Sequence, residues 1–134
     1  MGGSVERRKI FTVIFAAAAG LLLLGSTCKL ANKAPTVPTL IGPTTGSVWE
    51  PLTYSGIAED PDGDSVAILV DWGDGTPPNW WAFLPSGRTV LFMHSFTAAG
   101  TFAVRAKARD RKLLESDWSD SFAVSVESSL TRGR

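Results

Sequence analysis

In three stretches of this chain every second residue is apolar. Val66, Ile68, Val70 and Trp72 fall on one parity, with Ala67, Leu69 and Asp71 on the other. Phe102, Val104, Ala106 and Ala108 alternate with Ala103, Arg105, Lys107 and Arg109. Phe122, Val124 and Val126 alternate with Ala123, Ser125 and Glu127. A period of two sends successive side chains to opposite faces of a sheet, so each run has one face for a core. No 3.6-residue period of helical length competes with it.

The breaks between apolar runs carry turn chemistry: Gly42-Pro43, Asp60-Pro61-Asp62-Gly63, Gly73-Asp74-Gly75, Pro77-Pro78, Pro85-Ser86-Gly87 and Gly100. Strands are therefore expected near 37–42, 51–58, 65–72, 79–84, 89–96, 101–109 and 119–127. Seven short strands with one apolar face each describe an all-β, immunoglobulin-like two-sheet sandwich. Its expected core is Val66, Ile68, Val70, Trp72, Phe102, Val104, Phe122 and Val124. The single cysteine, Cys28, permits no intramolecular disulfide, so aromatic bulk must do what a staple would otherwise do.

The N-terminus reads as an address. Arg7-Arg8-Lys9 precede an uncharged, mostly apolar run from Ile10 to Leu24, the layout of a secretory signal. About 15 residues fall short of the roughly 20 that a spanning helix wants, although Gly25, Ser26 and Thr27 lengthen the uncharged stretch toward a signal-anchor. Arg7-Arg8 also loosely fits a twin-arginine signal, with ordinary n-region arginines as the plainer reading. Small residues lead to Cys28 and resemble a bacterial lipoprotein signal, in which that cysteine would carry lipid. Gly25 and Thr27 depart from the usual leucine and small residue of that pattern. The domain plan is a signal or anchor over 1–27, a tether over 28–35, the sandwich over 36–127 and a polar tail over 128–134. The expected location is the far side of a membrane, attached through the N-terminus.

Asp60-Pro61-Asp62-Gly63-Asp64, Val70-Asp71-Trp72-Gly73-Asp74-Gly75, His94-Ser95-Phe96 and Gly100-Thr101-Phe102-Ala103-Val104 follow one another in an order that resembles the polycystic kidney disease (PKD) domain. Ser116-Asp117-Trp118-Ser119-Asp120 before the last strand is similar to members of the wider group. The chain has Trp72 where phenylalanine is usual, and Phe102 where tyrosine is frequent. The resemblance implies a non-catalytic extracellular module, used as a spacer or for protein or carbohydrate contact.

Several motifs carry chemistry. Gly73 and Gly75 permit positive φ, and Asp71 and Asp74 can cap the turn between them, which makes that turn structural. Asp60, Asp62 and Asp64 form an oxygen-rich loop suited to calcium, against the alternative of a solvated acidic turn. It is not an EF-hand, because position 12 counted from Asp60 is Asp71, inside a strand. Calcium is the only cofactor the sequence suggests. Arg105, Lys107 and Arg109 make a basic stripe, explained most simply as a solvated face paired with neighbouring acids. Trp80 and Trp81 are adjacent, so regular strand would send them to opposite faces and expose at least one as a binding residue. His94 shares parity with Phe92 and Phe96, which favours a half-buried structural role, and no nucleophile–base motif accompanies it, so no enzyme is expected. The formal net charge of zero argues against nucleic acid. The expected function is a surface or envelope module that binds protein or carbohydrate, or a spacer. The alternatives are a calcium-stabilised structural subunit and, more remotely, an accessory piece of an extracellular enzyme.

Overall fold

Seven strands pack as two sheets in a computed structural model that describes residues 30–132. The expected signal, anchor and Cys28 lie outside the described residues, as does the end of the polar tail. The strands are β1 (Thr39–Ile41), β2 (Thr45–Ser47), β3 (Leu52–Ile57), β4 (Val66–Asp71), β5 (Val90–His94), β6 (Gly100–Asp110) and β7 (Phe122–Glu127). One sheet runs β1-β3-β5 and the other β2-β7-β6-β4. All pairings are antiparallel except that of β2 with β7. Contacts divide the chain between Ala31 and Asn32, and the sandwich lies wholly in the second unit.

The core is the meeting of one parity from each sheet. Tyr54, Phe92, Phe96, Val104 and Val124 are fully enclosed, with Val66, Ile68, Val70 and Trp72 packed beside them. Phe102 and Phe122 are only partly buried, because they lie toward the rim of the cluster. Tyr54 packs against Trp72 with 5.1 Å between ring centroids, and burial pushes its phenol up to about 12. Its hydroxyl is buried without a hydrogen-bond partner.

Two strand assignments change. Thr45–Ser47 forms a short strand that sequence pattern does not reveal, since three residues around Gly46 contain no alternation. Gly46 packs closely there: an added Cβ would meet Leu52 Cδ1 at 2.7 Å and push that side chain aside. Conversely, 79–84 is no regular strand. It touches β4 through two isolated antiparallel bridges, Leu69 with Trp80 and Val66 with Leu84. The two prolines at Pro77 and Pro78 remove donors just where a ladder would begin. Because this segment lies beside β4, Ala67 and Leu69 are buried on the face the alternation leaves for solvent.

β6 spends its first half on β7 and its second half on β4. Residues 115–119, which precede β7, take its place along the rest of β6. Ser116 and Ser119 donate their N–H groups to the carbonyls of Ala108 and Ala106. Their hydroxyl oxygens accept from the N–H groups of the same two alanines, at 2.9 and 3.0 Å. Each serine thus clasps one residue at two points and satisfies the side of β6 away from β4, which β7 does not reach.

Candidate functional site

The turn after β4 builds the first site. Gly73 and Gly75 have φ of 72° and 84°. Asp71 Oδ1 accepts from the Gly73 N–H and Asp74 Oδ1 from the Thr76 N–H, each two residues on. Gly73 is fixed for a second reason: a Cβ there would stand 2.5 Å from the carbonyl oxygen of Ala103. Asp74 Oδ2 lies 2.8 Å from His94 Nε2. His94 in turn stacks flat on Trp72, centroids 4.4 Å apart, and meets Phe96 edge-on. Burial alone would raise the Asp74 carboxyl, but the Thr76 N–H and His94 outweigh it and hold it below the ordinary carboxylate value. Sequence parity placed His94 inward; its partnership with Asp74 was not visible, because the two meet only when β5 crosses β4.

Residues beyond this turn shape an open groove of about 360 Å³, lined in part by Trp72, Thr76, Pro77, Asn79, Trp80 and Trp81. Trp80 and Trp81 diverge here. Trp81 is 42% exposed and sets its ring edge-on against Phe92 at 5.0 Å. Trp80 turns to the outer face of the four-stranded sheet, where Arg109 lies 4.2 Å over its ring.

That outer face is an interleaved stack. Arg105 and Lys107 both lie over Trp118, at 4.4 and 5.1 Å. Lys107 also approaches Trp80 at 5.7 Å. Arg109 and Arg111 lie over Phe83 at 5.8 and 5.0 Å. Two of the cations have acidic partners from flanking segments: Arg105 with Asp71 at 3.1 Å, and Lys107 with Glu115. The basic stripe is therefore a face of charges held by neighbouring aromatics and acids.

The second site closes the opposite end of β4. Asp60 is 6% exposed, and its Oδ1 accepts from the N–H groups of Asp62 and Asp64 at 2.9 and 3.1 Å. Its Oδ2 is buried with no hydrogen-bond partner. Ligand oxygens of Asp60, Asp62 and Asp64 lie within 4.8 Å of one another. The Lys33 N–H donates to Asp62 Oδ2 at 2.6 Å. Lys112 Nζ donates to Asp64 Oδ2 at 2.6 Å and to Asn32 Oδ1 at 2.9 Å. Asp64 and its neighbours raise the Lys112 ammonium above its usual value. Asn32 also donates to Asp110, a fully buried carboxylate. Burial would raise Asp110, yet Asn32 and the N–H groups of Leu114 and Lys112 bring it below the ordinary range. Lys112 lies 48 positions from Asp64 and 80 from Asn32, so no local motif signals this cluster.

A family model described as the PKD domain matches residues 42–120. A solved PKD domain of an M14-like peptidase from a Thermoplasmatales archaeon is 36% identical, covering 72% of this chain and 99% of its own, with a TM-score of 0.67. A CARDB domain from Pyrococcus furiosus, solved in complex with di-metal ions, shares the fold at 18% identity and a TM-score of 0.53, covering 69% of this chain and 93% of its own. The order of strands, the Gly-Asp-Gly turn and the family match agree: this chain belongs to the PKD domain family.

Proposed function

We propose that this chain is a non-catalytic, exported module that an N-terminal segment holds at a membrane, and that it contacts a protein or glycan through the groove beside Trp81. One observation carries the reading. An indole that is 42% exposed stands in an open groove that Trp72, Pro77 and Trp80 also line, and the Trp80 ring already carries Arg109. Exposed tryptophan with an apolar body and one N–H donor supplies large contact area at small entropic cost. His94 supports the non-catalytic part, since it is stacked between aromatics and bound to a turn carboxylate. The test is capture from cell-envelope extract, and binding to a glycan array, by the full chain and by Trp81→Ala. The variant is expected to weaken capture by more than about 1 kcal/mol, roughly fivefold or more. Equal capture by both proteins contradicts the groove.

A second reading, calcium stabilisation, is favoured by the orphaned Asp60 Oδ2. A buried carboxylate oxygen without a donor is what a hard cation would satisfy. Asp60, Asp62 and Asp64 are the residues that would hold it, and Lys112 would have to leave Asp64 to admit it. Calcium would supply charge compensation at the loop. Millimolar calcium is then expected to raise Tm along a logarithmic concentration dependence, and Asp62→Ala to abolish the rise. A Tm unmoved by calcium, or moved equally in the variant, refutes it.

A further inference from the structure

Beyond the groove, one loop is built in a way the fold does not require. After β6 the chain turns through Arg111-Lys112-Leu113-Leu114. Leu113 is 65% exposed and Leu114 41% exposed. Leu113 also has φ of 70°, the left-handed region where glycine or asparagine would sit without strain. A bulky apolar residue is thus held outward at a conformational cost, an outlier of the kind that marks a functional position.

The loop is also rigid. The buried Asp110 organises it: its Oδ1 accepts from the N–H groups of Lys112 and Leu114 at 2.7 and 3.0 Å. Its backbone carbonyl accepts from the Leu113 N–H, and its own N–H donates to the Leu114 carbonyl. The two leucines are therefore presented in place, without an ordering cost on contact.

Its position says what it faces. Asn32 bonds to Asp110 and Lys112, and Lys33 to Asp62, so the chain enters the sandwich at this same end. The apolar run that ends at Leu24 lies eight residues before Asn32, a span of at most about 28 Å. Most acids at this end have partners in place, Asp64 with Lys112, Asp110 with Asn32 and the loop, and the exposed Asp62 with the Lys33 N–H, while Asp60 keeps one buried oxygen without a hydrogen bond. Exposed Arg111 flanks the leucines with its guanidinium over Phe83, and a long cationic side chain can leave such a surface contact and rise to the headgroups while its neighbours enter.

We propose that Leu113 and Leu114 form a tip that inserts into the interface of a lipid bilayer and fixes the orientation of the tethered sandwich. The proposal rests on the membrane-anchored reading. Two leucines are too few to recruit a free domain, but tethering makes their insertion an intramolecular step at high effective concentration. The groove beside Trp81 then has a set orientation relative to the membrane.

The experiment reconstitutes the full chain with vesicles of phosphatidylcholine, and of equal parts phosphatidylcholine and phosphatidylglycerol. An environment-sensitive fluorescent amino acid replaces Leu114 or, as a control, Ala98 in the β5–β6 turn at the far end of β6. The expected result is a blue-shifted emission at position 114 on both vesicles, none at position 98, and loss of the shift in Leu113→Gly. That substitution relieves the left-handed conformation, so an unchanged or higher Tm accompanies the loss. A chain that sediments with vesicles while position 114 emits as in water overturns the tip and leaves the anchor standing. A chain that stays in the supernatant overturns both. A shift confined to the phosphatidylglycerol vesicles overturns insertion by the leucines in favour of attraction by the cations.

Discussion

β4 and β5 are written alike and end differently. Val66-Ala67-Ile68-Leu69-Val70 and Val90-Leu91-Phe92-Met93 are both continuous apolar runs. On β4 both parities are buried, and Leu69 is 7% exposed. On β5 only one parity is buried, while Leu91 and Met93 are 65% and 66% exposed. The difference lies outside the strands. Beside β4 runs the 79–84 segment, with Trp80, Arg109 and Trp118 spread over the sheet. β5 is the edge of the three-stranded sheet and pairs only with β3. A strand's own sequence specifies the parity that faces the core, and the rest of the chain decides whether the other parity is covered.

Substitution tests that comparison most strongly. Leu69→Ala is expected to cost about 2–4 kcal/mol, within the range for buried leucines, and Leu91→Ala about 0.5 kcal/mol or less. Chemical denaturation of the two variants measures both. Equal costs would mean that β5 too is covered, and would break the contrast. Acid gives the next effect. Asp74 and Asp110 both have folded values below 3.8. Their stabilisation is complete above that unfolded value and is lost as pH falls through the folded ones. Asp74→Asn should therefore flatten the acid limb of a stability–pH curve; an unaltered limb contradicts the role given to the turn.

The smallest effect concerns Tyr54, in the core shared by both sheets. Its buried hydroxyl has no partner, so Tyr54→Phe is expected to be neutral or stabilising by up to about 1 kcal/mol. The folded phenol titrates near 12 against 10 unfolded, so wild-type stability should fall as pH rises from 10 toward 12. The variant should lack that alkaline loss. A marked destabilisation by Tyr54→Phe would mean the hydroxyl is bonded.

Much of this was legible in the chain because the information is local. Alternation marks β4, β6 and β7, and the Gly-Asp-Gly turn needs residues that no other conformation calls for. What escaped is non-local or short. β2 has three residues and owes its place to β7. The clasp of Ser116 and Ser119 on β6 follows from β7 beginning only at Phe122. The pairing of His94 with Asp74 depends on how the two sheets face each other, and that of Lys112 with Asp64 on β4 pairing with β6. At Trp80 and Trp81 the geometric conflict was readable, since neighbours must diverge; which indole would be covered was not, because Arg109 sits 29 positions away.

Trp80 and Trp81 line one groove, and we propose that they divide the work there, Trp80 covering the sheet and Trp81 meeting the partner. Denaturation of Trp80→Ala and Trp81→Ala, set beside capture of a partner from envelope extract, tests it most directly. Trp80→Ala should lose about 2 kcal/mol or more of stability by stripping the cover from Leu69 and Arg109. Trp81→Ala should lose about 1 kcal/mol or less and yet fail to capture what the wild-type chain captures. Loss of several kcal/mol in both variants would make both indoles core residues and contradict the claim.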